Sequence, residues 1–284
     1  MKQFFTSADG LKLAFRVEGT GDAVPLLCLS GLTRNMADFD HFVEAIGPSL
    51  EGRQIICMDA RGRGASDHDP NFANYNIMVE AADAVALLDH LGVEKCIVIG
   101  SSRGGYQAMV MAATAPQRLT GVVLNDVGPV LAPEGLGKIM TYLGMPPKAK
   151  TLNELAGALR HMNSDAFQNV GDDFWADWAA RTVVVTDDGL ELNYDAKLRD
   201  AIIEQAAALD PDGPRLWPLF DALLPIPTIL LRAENSDLLT AEAAADMVAR
   251  KSDLVAYAVP DRGHIPRLDE EDSLSAIRAF INQL

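Results

Sequence analysis

The chain alternates between short apolar runs and longer stretches in which apolar residues recur every three or four positions. Four such runs in its first half are "PLLCLS" (25–30), "RQIICMDA" (53–60), "KCIVIG" (95–100) and "GVVLND" (121–126). Each run is apolar at nearly every residue, which is typical of a parallel strand buried on both faces. A helix between the second and third runs is predicted by the spacing of Ile77, Ala81, Val85, Leu88 and Leu91. Alternation of strand and helix predicts a doubly wound α/β fold.

This pattern changes at the start of the chain and again in its middle. The chain opens with two alternating stretches around Ala8-Asp9-Gly10, which predict an antiparallel hairpin. From about 129 to 224 the strand signal fades, and a helical segment punctuated by "MPP" and "DPDGP" indicates an insertion. Strand and helix alternation then resumes with "PTILLRA" (227–233), a helix over about 240–250, "LVAYAVP" (254–260) and a terminal helix from about Glu270.

Composition and charge narrow the classes of partner. The 284 residues, 49% of them hydrophobic, are enough for one large domain or a domain with a sizeable insertion. A formal net charge of −16 opposes binding to nucleic acid or to an anionic membrane surface. No signal-peptide pattern follows Met1, and no apolar run reaches the ~18 residues of a membrane span. We therefore expect a cytoplasmic protein that acts on a small molecule, with its oligomeric state left open.

The cysteines and histidines do not indicate a metal site. Cys28, Cys57 and Cys96 each lie within a short apolar run, which favours buried reduced thiols over disulfides. No cysteine and histidine cluster has the spacing of a zinc site. We therefore predict neither a metal nor a cofactor.

One serine lies in a sequence typical of a nucleophile. Gly100-Ser101-Ser102-Arg103-Gly104 matches G-x-S-x-G, with Ser102 at its centre. The motif alone is weak evidence for a nucleophile, because it can arise by chance in a chain with 22 glycines. Here, however, a predicted strand precedes it and a helical pattern follows it. That context is what a strained turn with an exposed nucleophile requires. Ser102 is the predicted nucleophile, with a helix N-cap as its alternative, and Ser101 is predicted to make a structural hydrogen bond.

A reactive serine needs a base that is itself held by a carboxylate. Among the five histidines, only His264 follows the last predicted strand, from which it would reach the sheet edge beside Ser102. Two aspartates are candidates for the carboxylate. Asp126 ends the strand after that of Ser102, and Asp237 follows the next strand; either could instead form an Asx turn or a helix cap.

Together these segments resemble the α/β hydrolase fold family over nearly the whole chain. The resemblance is carried by "LCLSGL" (27–32), "DARGRGASD" (59–67), "GSSRGG" (100–105), "RAENSDLLT" (232–240) and "RGH" (262–264). It implies a mostly parallel eight-stranded sheet flanked by helices. It further implies a core domain of residues 1–128 and 225–284, with a helical cap of residues 129–224 inserted after strand 6.

Two departures from the family pattern affect the predicted site. Ser30 replaces the usual histidine of the oxyanion loop, which leaves the backbone donors in place; the resemblance assigns them to Leu32 and Arg103. The family's common acid position after strand 7 is Ser236, and Asp237 comes one residue late. Some family members take the acid from the end of strand 6, so we prefer Asp126.

A serine nucleophile, where family dehalogenases and epoxide hydrolases use aspartate, implies acyl transfer to water. We expect a carboxylesterase with a Ser-His-Asp triad that cleaves an ester with an apolar or aromatic acyl or alcohol group. The alternatives are a C–C bond or lactone hydrolase, and a ligand-binding protein of the same fold without catalysis.

Four further residues are candidates for substrate binding. Trp175, Trp178 and Trp217 are predicted to form an apolar wall over the serine, unless they form the core of the cap. Arg34 closely follows the oxyanion loop and is a candidate to meet a substrate carboxylate, unless it forms a loop ion pair.

Overall fold

A computed structural model of the protein describes residues 1–50, 52–207 and 216–284. Its strands are β1 Gln3–Thr6, β2 Lys12–Glu18, β3 Ala23–Leu29, β4 Arg53–Met58, β5 Cys96–Ser101, β6 Leu119–Asn125, β7 Val183–Thr186, β8 Gly189–Leu192, β9 Thr228–Ala233 and β10 Val255–Val259. Its α-helices are α1 Asp40–Ile46, α2 Ile77–His90, α3 Arg103–Thr114, α4 Pro133–Tyr142, α5 Leu152–Asn163, α6 Asp172–Thr182, α7 Leu198–Ala207, α8 Trp217–Asp221, α9 Ala241–Arg250 and α10 Glu271–Ile281.

Eight of the strands form one sheet, in the order β1-β2-β4-β3-β5-β6-β9-β10. β1 pairs antiparallel with β2, and β2 pairs antiparallel with β4, whereas all remaining neighbours in this sheet are parallel. The predicted hairpin and the predicted apolar strands are therefore confirmed. The mostly parallel eight-stranded sheet confirms the predicted fold class.

Helices cover both faces of this sheet because its central strands carry apolar side chains on both sides. On one face, α2, α3 and α9 bury residues such as Leu87, Met109 and Met247, and on the other face α1 and α10 bury Phe42 and Ile277. The three cysteines are buried and unpaired. In the part of the chain that is described, no helix is long and apolar enough to cross a membrane.

The chain between β6 and β9 leaves the sheet and forms α4 to α8 together with a two-stranded hairpin of β7 and β8. The hydrophobic pattern of this segment does not predict the hairpin, although the four β-branched residues 183–186, followed by Asp-Asp-Gly, favour one. The helices are compatible with the predicted cap, whose boundaries stay a prediction. Residues 208–215, which include "DPDGP", lie outside the described residues.

The carboxyl ends of the parallel strands meet at one edge of the sheet. Ser30 follows β3 there, Ser102 follows β5, Asp126 follows β6, Ser236 follows β9 after a short turn, and His264 lies in the loop after β10. Residues that are far apart in the sequence therefore come together at this edge, as is typical of ligand sites in open α/β sheets.

Candidate active site

Ser102 lies on a strained turn between β5 and α3. Its backbone has φ 51° and ψ −116°, in a region that a residue with a side chain rarely adopts. The surrounding glycines permit the turn: a Cβ on Gly104 would lie 2.0 Å from the Leu29 carbonyl oxygen, and one on Gly100 would lie 2.6 Å from a backbone atom of Gly105. This is the conformation that the G-x-S-x-G motif predicts.

Three of the predicted residues form a chain of hydrogen bonds. The Nε2 atom of His264 lies 2.9 Å from Ser102 Oγ, and its Nδ1 atom lies 2.7 Å from Asp126 Oδ2. A single imidazole ring thus joins the hydroxyl to the carboxylate, which is the arrangement in which a histidine takes a proton from a serine. Ser101 accepts a 3.0 Å hydrogen bond from Asn125 Nδ2, in agreement with its predicted structural role.

Asp126 is held in place from several sides. Its carboxylate is fully buried, Oδ1 accepts a 2.9 Å hydrogen bond from the backbone N–H of Ala233, and Oδ2 accepts a 2.7 Å hydrogen bond from Ser236 Oγ. Its own N–H donates to the Leu231 carbonyl at 2.7 Å. These bonds orient the carboxylate toward His264.

Asp237, the other candidate acid, does not join this group. Its side chain is 38% exposed and pairs with the Lys138 ammonium at 3.0 Å. Strand β9 ends four residues before Asp237, and the turn that follows presents Ser236 to the site instead.

The loop after β3 runs close to the serine, as the predicted oxyanion hole requires. A Cβ on Gly31 would lie 3.6 Å from Ser102 Cβ, and the Leu32 carbonyl is fixed by a 2.9 Å hydrogen bond from Arg63 Nε. Within the described residues, the backbone N–H groups of Leu32 and Arg103 donate no hydrogen bond to another protein group, so both could bind a substrate oxygen. Their assignment to the oxyanion hole stays a prediction.

Glu80 forms a buried charge network behind the nucleophile. Its carboxylate, fully buried on α2, accepts hydrogen bonds of 2.7 and 3.1 Å from the Arg103 guanidinium and one of 3.1 Å from Gln107, and it lies 2.9 Å from Arg63 Nη1. Burial alone would raise the pKa of Glu80, but the guanidinium groups of Arg103 and Arg63 more than offset it and lower that pKa. Hydrophobic periodicity gives no signal for this network, because it consists of polar residues on inward-facing positions.

We expect Glu80→Gln to destabilise the fold by about 3–5 kcal/mol, since it leaves two buried guanidinium groups without their carboxylate. The measurement is urea unfolding. Asp89→Asn is the matched control, because Asp89 lies on the same helix and pairs with Arg118 through a 65%-exposed side chain. That pair is expected to contribute at most about 1 kcal/mol. Equal unfolding midpoints for the two variants would contradict the role of Glu80.

Arg34 lies next to the loop after β3, but its charge is already paired. Its Nε and Nη2 atoms donate to Asp38 at 2.6 and 2.7 Å, and its Nη1 atom donates to Thr182 at 2.6 Å. Burial opposes the charge of Arg34, and the Asp38 carboxylate offsets this effect, so the pKa of Arg34 lies above its ordinary value. Arg34 thus forms a loop ion pair with Asp38, which is the alternative to substrate binding that the sequence leaves open. A role of Arg34 in substrate binding stays a prediction.

Two of the predicted tryptophans pack near the histidine loop. Trp175 and Trp178 stack with ring centroids 5.8 Å apart, and Phe167 packs edge-on against both. A Cβ on Gly263 would lie 3.0 Å from Phe167, so this aromatic cluster rests on the residue before His264. The rings chiefly bury one another, and their role as a substrate wall stays a prediction.

Trp217 lies in a different environment. It packs edge-on against Phe220 and beneath the guanidinium of Arg250, 5.1 Å from the ring centroid. Its apolar neighbours belong to the main core rather than to the aromatic cluster of Trp175. Its predicted role in substrate binding stays a prediction.

The described residues hold no group of three or more histidine, cysteine, aspartate or glutamate side chains placed to bind a metal ion. The sequence does not predict the roles of two residues near the site. These are Glu80, for which no motif exists, and Ser236. The position of Ser236 is identified by counting from β9, but nothing in the sequence indicates its contact with Asp126.

Comparison with known proteins agrees with this geometry. Residues 24–174 match the α/β hydrolase fold family. The chain belongs to this family. A 3-hydroxybutyrate-oligomer hydrolase of Cupriavidus necator is 34% identical over 249 residues, which cover 85% of this chain and 82% of that protein. The crystal structure of an α/β hydrolase from Novosphingobium aromaticivorans has a TM-score of 0.90 and 36% identity, covering 100% of this chain and 98% of the other.

A more distant relative of this α/β hydrolase is named for a different activity. The 2-hydroxymuconate semialdehyde hydrolase of a Pseudomonas strain is 25% identical over 257 residues, which cover 86% of this chain and 81% of that protein. Family membership and relatives thus identify the chain as a hydrolase of small molecules.

Proposed function

We propose that the protein hydrolyses carboxylic esters through an acyl-enzyme on Ser102. The observation that carries the proposal is the 2.9 Å contact between Ser102 Oγ and His264 Nε2, with Asp126 on the other side of the ring. A neutral imidazole held in this way accepts a proton from the hydroxyl as the oxygen attacks.

In the first half of the reaction, the Ser102 oxygen bonds to the ester carbonyl carbon while its proton passes to His264. The negative charge that develops on the carbonyl oxygen is stabilised by the N–H groups of Leu32 and Arg103. The carbon–oxygen bond to the alcohol then breaks, and His264 gives its proton to the departing alcohol.

In the second half, His264 removes a proton from water as the water oxygen bonds to the acyl carbon. The second tetrahedral intermediate collapses, its bond to Ser102 breaks, and His264 returns the proton to the serine oxygen. One ester and one water thus yield one acid and one alcohol. Asp126 keeps the imidazole in the required tautomer and stabilises its charged form throughout.

We further propose short aliphatic oligoesters of hydroxy acids as the substrate class. The relative that shares 34% identity over most of both chains is named for 3-hydroxybutyrate oligomers. The side chains of Leu32 and of Ile139 and Met140 in α4 pack against one apolar cluster, which also contains Tyr75 and Tyr194, so the oxyanion loop has apolar surroundings. The aromatic cluster of Trp175 packs on itself, which gives less support to an aromatic substrate.

This substrate class is tested by comparing kcat/KM for the dimer and trimer of 3-hydroxybutyrate with that for a vinylogous diketone, a substrate of C–C hydrolases. We expect the oligoesters to be preferred by at least about 100-fold, because an alcohol oxygen is a better leaving group than carbon, and C–C cleavage requires a site that also stabilises the departing carbanion in the transition state. Preference for the diketone would contradict ester hydrolysis and favour the C–C alternative.

A further inference from the structure

The hydroxyl of Ser236 has three hydrogen-bond partners. It lies 2.7 Å from Asp126 Oδ2, and it accepts the backbone N–H groups of Leu238 at 3.2 Å and Leu239 at 2.9 Å. Asp126 Oδ2 is also the oxygen that contacts His264 Nδ1 at 2.7 Å. Serine hydroxyl and imidazole therefore share one carboxylate oxygen.

These contacts determine which way the hydroxyl points. A serine hydroxyl has one proton to donate and two lone pairs with which to accept. The two N–H groups occupy the accepting side, so the proton is directed at Asp126. Hydrogen bonds accepted from the backbone polarise the hydroxyl and make it a stronger donor to the carboxylate.

We infer that Ser236 is a positioning residue that orients Asp126 and withdraws part of its negative charge from His264. This inference rests on the proposed roles of Ser102, His264 and Asp126. Ser236 touches neither the imidazole nor the nucleophile, and it acts only through the carboxylate. Its position after β9 lets it reach an acid that is supplied by the neighbouring strand β6.

Removal of the hydroxyl therefore has an electrostatic consequence. Without a donor on Oδ2, the full charge of Asp126 acts on the imidazolium form of His264 and stabilises it to higher pH. Other charged groups on this loop have partners of their own. Arg262 pairs with Glu270, Arg267 pairs with Asp269 and lies 3.6 Å from Asp177, and the Asp261 carboxylate accepts a hydrogen bond from Asn169. Among the described residues, Asp126 is the charged group in contact with the ring.

The experiment measures the rate constant for covalent labelling of Ser102 by a fluorophosphonate as a function of pH. This reaction needs the nucleophile and its base but no ester substrate. For Ser236→Ala we expect the acid-side midpoint of the profile to move up by about half a pH unit. The plateau rate should fall about tenfold, as for a lost hydrogen bond to a charged group.

Ser7→Ala is the matched control. The Ser7 hydroxyl likewise donates to an aspartate, Asp9, and accepts a backbone N–H, from Leu11 at 2.9 Å, but it follows edge strand β1. It should change the unfolding midpoint without moving the pH profile. Ser236→Thr retains the hydroxyl and should keep the wild-type midpoint.

A wild-type midpoint in Ser236→Ala, or an equal shift in Ser7→Ala, would overturn the inference. So would a folded Ser236→Thr protein that shifts as much as Ser236→Ala. The proposed function fails in a separate way, when the wild-type protein is labelled at Ser102 but cleaves no ester.

Discussion

Replacing Ser102 with alanine is expected to lower kcat for ester hydrolysis by about 10⁴- to 10⁶-fold, because among the described residues Ser102 is the nucleophile that contacts His264. The fold should be unaffected, since among the described residues the hydroxyl makes one side-chain hydrogen bond, with His264. The measurement is steady-state kinetics on a 3-hydroxybutyrate dimer, with thermal unfolding recorded in parallel.

The neighbouring serine provides the control for this variant. Ser101 lies on the same turn, but its hydroxyl contacts Asn125 rather than the histidine. We expect Ser101→Ala to change kcat by no more than about a few-fold, because a lost neutral hydrogen bond outside the reacting groups has a modest effect. Residual activity above a tenth of the wild type in Ser102→Ala would contradict the nucleophile assignment.

The second large effect is expected from Asp126→Asn, which should lower kcat by about 10³- to 10⁴-fold. An amide at this position donates to the imidazole instead of accepting from it, so the ring adopts the tautomer that cannot take a proton from Ser102. Loss of stability is limited because asparagine has the same shape, although Ser236 and His264 lose an ionised partner.

Asp237→Asn separates the two candidate acids. Because Asp237 pairs with Lys138 through a partly exposed side chain, its replacement should leave kcat within about twofold of the wild type. If Asp237→Asn caused the larger loss of turnover, the acid would come from the β9 side of the site, and the account of Ser236 would fail with it.

The architecture of the sheet is readable in the sequence because buried parallel strands need apolar residues on both faces. That requirement produces the continuous runs over β3 to β6, which local pattern alone identifies. The short β7–β8 hairpin lies outside the main sheet and buries one residue, Val183, and its single apolar run of three valines is too short to identify a strand.

In the site, too, residues whose roles depend on local sequence are predicted, whereas residues whose roles depend on contacts between distant elements are not. The turn of Ser102 depends on glycines within two residues, and His264 is selected by its place after the last strand, so both are found without coordinates. The choice between Asp126 and Asp237 depends on where a turn after β9 directs its side chains, which is a long-range matter. The contacts of Ser236 and Glu80 depend on how separate helices and strands pack together, so no sequence pattern predicts them.

The role of Ser102 as the nucleophile is tested most directly by peptide mapping with mass spectrometry after reaction with a fluorophosphonate. We expect one phosphonyl group per chain, located on the peptide that contains Ser102, and loss of ester hydrolysis in proportion to labelling. Ser102→Ala should remain unlabelled. Absence of labelling in the active wild-type protein, or labelling at another residue, would contradict the claim that Ser102 is the nucleophile.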